Sequence, residues 1–211
     1  MQRLSEIFFE HQSKKFNIMS KKSVYVFIFN GFSDWEIAYL TPELNKSEKI
    51  ELKYFSIDGY HVESAGGLTI QPDFSIEQID PNNVSLLVLP GGSVWEAGST
   101  DEIDKLAAEL HTANKTIAAI CGATLLLARK GYLDGLKHTS NALDYVKKFA
   151  VSYQGADNYL NELAVTDKNL ITANGIAPIE FAHEIFQNVQ LFEEKDIKKW
   201  FQLFKNGIWE E

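Results

Sequence analysis

Cys121 is the chain's one cysteine, and its neighbours are small: Ala119 two residues before it, Gly122 next to it and Ala123 two after. The apolar run 117–120 reads as a buried strand, and residues 125–128 suit a helix packed under a sheet. That is the spacing of a strand–turn–helix elbow, in which small neighbours let the chain turn sharply and lift one side chain out of the fold. The free N–H groups of the following helix would favour a thiolate, the nucleophilic form of the side chain. Inert filler is the other reading, because free cysteine is among the most buried residue types.

Two further features would share a crevice with Cys121 if their strands run parallel. Glu36 follows the apolar strand 23–29, and Gly91-Gly92 follows the strand 84–89. A carboxylate beside a thiol can carry its proton. The spacing Ser33-x-x-Glu36 equally fits a helix capping box, in which that carboxylate serves only its own helix end. Glycine amides, those of Gly92 and Gly122, can point at a developing oxyanion, although Gly91-Gly92 also reads as a plain turn. His138 lies in the loop 132–141 and is the histidine best placed to serve as a base for Cys121, a surface residue being the alternative. The five histidines show no metal-ligand spacing with the carboxylates or the lone cysteine, so no metal or other cofactor is expected.

The elements that must position these groups alternate. Strands are expected at 23–29, 50–57, 84–89 and 117–120, with a hairpin region through Ile70 and a second hairpin pairing 162–166 with 170–173 around Asp167-Lys168-Asn169. Helical patterns run from Ser33 toward Asn45, along Ile103, Leu106, Ala107 and Leu110 behind a Ser99/Glu102 capping box, over 143–149, and along Phe181, Ala182, Ile185, Phe186 and Val189 after Pro178. A last amphipathic helix carries Ile197, Trp200, Phe201 and Phe204. Near-continuous apolar strands alternating with helices predict an α/β fold, a doubly wound, mostly parallel sheet sandwiched by helices with ligands off the strands' carboxyl ends.

Composition narrows the partners. The chain of 211 residues is 45% hydrophobic and 23% charged, the balance of a globular domain with a sizeable core. A net charge of −9 argues against a nucleic-acid or anionic-membrane surface. One cysteine permits no internal disulfide, so a cytoplasmic home is expected. No apolar run approaches the roughly 18 residues of a membrane span. Residues 1–18 read as an N-terminal extension, because Met19-Ser20-Lys21-Lys22 looks like a natural start of the domain 19–211.

In order along residues 22–192, Gly31-Phe32-Ser33-Asp34-Trp35-Glu36, Leu89-Pro90-Gly91-Gly92, Ala119-Ile120-Cys121-Gly122-Ala123 and Asp167-Lys168-Asn169-Leu170-Ile171-Thr172 resemble the ThiJ/PfpI superfamily of glutamine-amidotransferase-like proteins. The resemblance implies a flavodoxin-like sheet, Cys121 as elbow nucleophile, Glu36 as its carboxylate contact, and the Gly92 and Gly122 amides as the oxyanion site. It places Ser140 and Asn174 on the substrate side and makes a homodimer the expected assembly. The chain departs from the pattern as well. Gly122 stands where the PfpI-type proteases have a histidine, Ser140 rather than His138 aligns with the loop histidine of deglycase relatives, and Ala177-Pro178-Ile179-Glu180 replaces the amidotransferase His-x-Glu pair. Two functions remain: a cysteine enzyme acting on a small carbonyl or amide substrate, as a hydrolase, deglycase or glyoxalase, or a non-catalytic oxidative-stress protein with an oxidisable Cys121.

Overall fold

The computed structural model describes residues 21–99 and 101–209, so the expected extension 1–18 lies outside the described residues. Its strands are β1 (Lys22–Phe27), β2 (Ile50–Ser56), β3 (Val62–Glu63), β4 (Thr69–Ile70), β5 (Phe74–Ser75), β6 (Leu86–Leu89), β7 (Thr116–Ile120), β8 (Ala164–Asp167) and β9 (Leu170–Ala173). Its helices are α1 (Thr41–Lys46), α2 (Val94–Ala97), α3 (Asp101–Thr112), α4 (Thr124–Arg129), α5 (Leu143–Phe149), α6 (Pro178–Val189) and α7 (Glu194–Asn206). Seven strands form one sheet in the order β5-β2-β1-β6-β7-β9-β8, while β3 and β4 pair as a separate hairpin. Every neighbouring pair in the large sheet is parallel except β8 with β9. The doubly wound, flavodoxin-like reading is therefore correct.

Alternation along the strands sorts the core into two layers, since successive side chains point to opposite faces. Tyr25, Phe27, Leu87, Leu89, Ile117 and Ala119 pack under Ile103, Leu106 and Leu110 of α3 and Leu125 to Ala128 of α4. Val24, Val26, Leu86, Val88, Ala118 and Ile120 pack under α1 and under Phe181, Ile185 and Phe186 of α6. With both faces covered, β6 is buried along its whole length, which explains its uninterrupted apolar sequence. Each such leucine contributes about 1.5–3 kcal/mol by leaving water.

Two local expectations fail for identifiable reasons. The pattern from Ser33 toward Asn45 is not one helix. It is a 3₁₀ turn (Asp34–Glu36), then a loop, then α1, whose first turn holds Pro42. Proline lacks the N–H that a helix continuing from Ser33 would need there. Nor do Ser99 and Glu102 form a capping box, because the Ser99 hydroxyl donates to the Asp104 carboxylate instead.

The chain crosses from one side of β1 to the other between β2 and β6, so β1 and β6 flank the switch point where this topology opens a crevice. Among the described residues, no helix is long and apolar enough to cross a membrane. Leu87 is paired on both sides and fully buried at the sheet's centre. Leu87→Ala should cost about 2–4 kcal/mol in urea unfolding, and a loss below about 1 kcal/mol would contradict this account of a close-packed centre.

Candidate active site

The carboxyl ends of β1, β6 and β7 deliver the three segments that meet in the crevice. After β1 the chain turns through Ser33 to Glu36, and after β6 it runs through Pro90 to Gly92. These two segments clamp each other: Ser33 N–H donates to the Gly91 carbonyl at 3.0 Å, and Gly91 N–H donates to Glu36 Oε2 at 2.5 Å. The Ser33 side chain makes no cap bond to its own turn, so the capping-box reading of Ser33 and Glu36 does not hold. Glu36 is fully buried, and its Oε1 has no partner in hydrogen-bonding geometry.

Cys121 begins the 3₁₀ turn Cys121–Ala123 between β7 and α4, and its backbone has φ 59°. That is left-handed territory for a residue with a side chain, the strained elbow conformation. Thr124 Oγ1 holds the elbow by donating to the Cys121 carbonyl at 2.7 Å. The side chain is half-buried and is not sealed in the core.

Three glycines make the close approach possible. A methyl group on Gly91 would fall 2.6 Å from Cys121 Cβ and 2.7 Å from Glu36 Oε2, so only the bare backbone fits between nucleophile and carboxylate. At Gly175, after β9, a methyl would stand 2.8 Å from the sulfur. Gly92 has φ 152° and is packed against the Phe29 ring, and its carbonyl lies 3.0 Å from where a Gly122 methyl would sit. Cys121, Glu36, Gly92 and Gly122 thus occupy one small space.

Burial dominates the electrostatics. It lifts the Glu36 carboxyl from 4.5 to about 7, against the opposing hydrogen bond from the Gly91 amide and the polar groups of Cys121 and Ser33 nearby. Burial, and then the charge of Glu36, push the Cys121 thiol up to about 11, while hydrogen bonds from Asn141 and the Gly122 amide pull it down. The expectation of a thiolate favoured by the helix end alone is therefore corrected. Glu36 therefore loses its proton first, near neutrality, while the thiol keeps its own.

The other expected residues have different places. His138 is fully buried, with Nδ1 2.7 Å from the Leu136 carbonyl and Nε2 2.5 Å from the Tyr153 hydroxyl, so both ring nitrogens are occupied away from the sulfur. Burial also lowers its pKa and keeps it neutral. It is a satisfied core histidine, not a base for Cys121. Ser140 is buried with its Oγ 2.6 Å from Thr124 Oγ1, whose own proton goes to the Cys121 carbonyl, so Ser140 braces the elbow and does not meet substrate. Asn174 Nδ2 donates to the carbonyls of Ser140 and Asn141, and its Oδ1 accepts from Ile176 N–H, so it ties two loops together instead of lining the substrate side.

What the sequence reasoning missed is Asn141, whose Nδ2 donates to Cys121 Sγ at 3.3 Å, and Gly175, whose amide donates to Asn141 Oδ1 at 3.0 Å. The Asn174-Gly175 turn at the end of β9 could have flagged Gly175, but nothing local marks Asn141. Tyr145 of α5 also faces this region: its phenol feels Cys121 and Glu96, and burial raises its pKa.

The chain is similar to several known proteins. A model described as the DJ-1/PfpI family matches residues 22–188. The chain is 39% identical over 194 residues to the uncharacterized protease YoaZ of Bacillus subtilis, covering 89% of this chain and 92% of that one. It is 30% identical over 112 residues to the deglycase PfpI of Pyrococcus furiosus, covering 53% of this chain and 67% of that one. The crystal structure of the DJ-1 superfamily protein Atu0886 from Agrobacterium tumefaciens superposes with a TM-score of 0.81 at 32% identity, over 88% of this chain and 98% of that one.

Two outcomes test the site. The folded state binds the Glu36 proton more tightly than the unfolded chain does, so its stabilisation is complete below about 4.5 and is lost as pH rises through about 7. Urea unfolding from pH 4 to 8 should show roughly 3 kcal/mol more decline in the wild type than in Glu36→Gln; parallel profiles would refute the buried carboxyl. Gly175→Ala should slow iodoacetamide alkylation of Cys121 by about tenfold or more, because the new methyl crowds the sulfur. An unchanged rate would mean that Gly175 does not approach it.

Proposed function

The chain belongs to the DJ-1/PfpI family, and from that premise we propose that it adds the Cys121 sulfur to the carbonyl carbon of a small aldehyde, a 2-oxoaldehyde best of all, with Glu36 as proton carrier. The observation that carries this reading is the buried Glu36, poised near neutrality and set against Cys121 across a bare Gly91. Glu36 as carboxylate takes the thiol proton, the sulfur–carbon bond forms, and the carbonyl π pair moves onto oxygen. The Gly92 and Gly122 amides are the donors offered to that oxyanion. Glu36 then returns the proton to the oxygen and leaves a neutral hemithioacetal.

With a 2-oxoaldehyde the same carboxylate can remove the proton from the carbon bearing sulfur and deliver it to the neighbouring carbon, while the hydroxyl proton passes from the first oxygen to the second, which gives a thioester. Water cleaves the thioester to a 2-hydroxy acid and restores the thiol. The sum is 2-oxoaldehyde plus water giving 2-hydroxy acid, with no external oxidant or reductant. Amide hydrolysis suits the site less well. The leaving nitrogen must be protonated as the tetrahedral adduct collapses, and His138, the group expected for that work, is committed elsewhere. The deglycase name of the Pyrococcus furiosus relative fits carbonyl chemistry.

A second reading draws on the partnerless Glu36 Oε1. Two equivalents of hydrogen peroxide would convert the thiolate to a sulfinate and two waters, and a protonated Glu36 would hydrogen-bond a sulfinate oxygen. Incubation with methylglyoxal, followed by NMR, separates the two. The enzyme reading expects lactate formation that falls by about a hundredfold or more in Cys121→Ala and Glu36→Gln, yet stays within about threefold in His138→Gln. No lactate from the wild type, together with ready gain of two oxygens on Cys121 by intact mass after mild peroxide, would overturn it in favour of the sensor.

A further inference from the structure

The groups around the sulfur fix more than its position. Asn141 is held from both ends: Oδ1 accepts the Gly175 amide, and its own carbonyl accepts Asn174 Nδ2 at 3.0 Å. Turning the side-chain amide over would set its NH₂ against the Gly175 N–H, donor facing donor, so the orientation follows from the hydrogen bonds. Nδ2 must then face Cys121 Sγ, and toward a donor the sulfur can act only as acceptor.

The thiol proton is therefore excluded from the Asn141 side. The nearby Gly122 amide adds to the pull of Asn141 by lowering the thiol's pKa. The titratable groups that act on or feel the sulfur are Glu36, from the turn after β1, and the Tyr145 phenol on α5, which also feels Glu96 and Arg129. Burial holds Tyr145 protonated, so it does not receive the proton. Glu36 remains, across the gap that Gly91 leaves open.

We propose that Asn141 is a catalytic residue that directs the Cys121 proton to Glu36 and stabilises the sulfur once that proton has left. In this chain a donor amide does by orientation what a histidine would do by basicity. The thiol gives up its proton only along the line to Glu36, and the sulfur that remains is held by Asn141 Nδ2. The site accordingly favours substrates whose attack needs one proton moved from sulfur to oxygen, carbonyls in preference to amides. This inference rests on the reading of Cys121 as nucleophile, but its test needs no natural substrate, so a wrong choice of aldehyde leaves it standing.

The experiment is the rate of Cys121 alkylation by iodoacetamide between pH 5 and 9 in the wild type, Asn141→Ala, Glu36→Gln and the double variant. Asn141→Ala should slow the reaction at pH 7 by about tenfold in the wild-type background and by less than about threefold in Glu36→Gln, because the two residues act on one proton. Asn141→Asp keeps an acceptor for the Gly175 amide while replacing the donor at sulfur by an acceptor. It should retain the wild-type Tm and still alkylate at least about tenfold more slowly. Rates within about twofold of wild type in Asn141→Ala and Asn141→Asp would overturn the proposal, and a lowered Tm with an unchanged pH profile would reduce Asn141 to a loop clamp. Fully multiplicative effects of Asn141→Ala and Glu36→Gln would overturn the proton-directing role.

Discussion

The site depends on one buried hydrogen bond, that of the Gly91 amide with the Glu36 carboxylate. Burying a carboxyl group without a partner is costly, and a single charge-assisted bond from a backbone amide offsets much of that cost. The return contact, Ser33 N–H to the Gly91 carbonyl, makes the two segments a rigid pair. Because they follow β1 and β6, the pair spans the topological switch point and sets the depth of the crevice. Cys121 is brought to it from the next strand over, and the β6–β7 register, Leu89 opposite Ala119, fixes how far the elbow projects.

Tension in this arrangement is what makes it chemical. Two acidic groups in one poorly hydrated space cannot both be ionised at neutral pH, and the charge of Glu36 raises the thiol's affinity for its proton. Glu36 is left near the middle of its titration, and the sulfur has a donor, Asn141 Nδ2, waiting for its charge. Acid and nucleophile are thus alternative forms of the same pair, separated by one short proton transfer.

The architecture was legible because its signals are local. Strands covered on both faces need apolar residues throughout, and 84–89 and 117–120 have them; α3 shows its buried face as a stripe of Ile103, Leu106, Ala107 and Leu110. The elbow was legible for the same reason, since small residues must flank the turn. Where competing local rules met, the reading went astray: Pro42 ends any helix running on from Ser33, and Glu36 serves Gly91, 55 residues away, in place of its own helix end. The support of the sulfur was illegible because it is non-local. Asn141 gains its role only through Gly175, 34 residues on, and His138 looks like a loop residue until Tyr153 and the Leu136 carbonyl satisfy its ring. A buried polar side chain is decided by its partners, and those partners are set by the fold.

The left-handed backbone of Cys121 has a consequence of its own. A side chain there costs about 1 kcal/mol or more, a burden that glycine would not carry. Fold and reactivity therefore pull this position in opposite directions: drift under selection for thermal robustness alone would favour erasing the sulfur while leaving the architecture intact. A cysteine in that conformation is held against the backbone's own conformational preference.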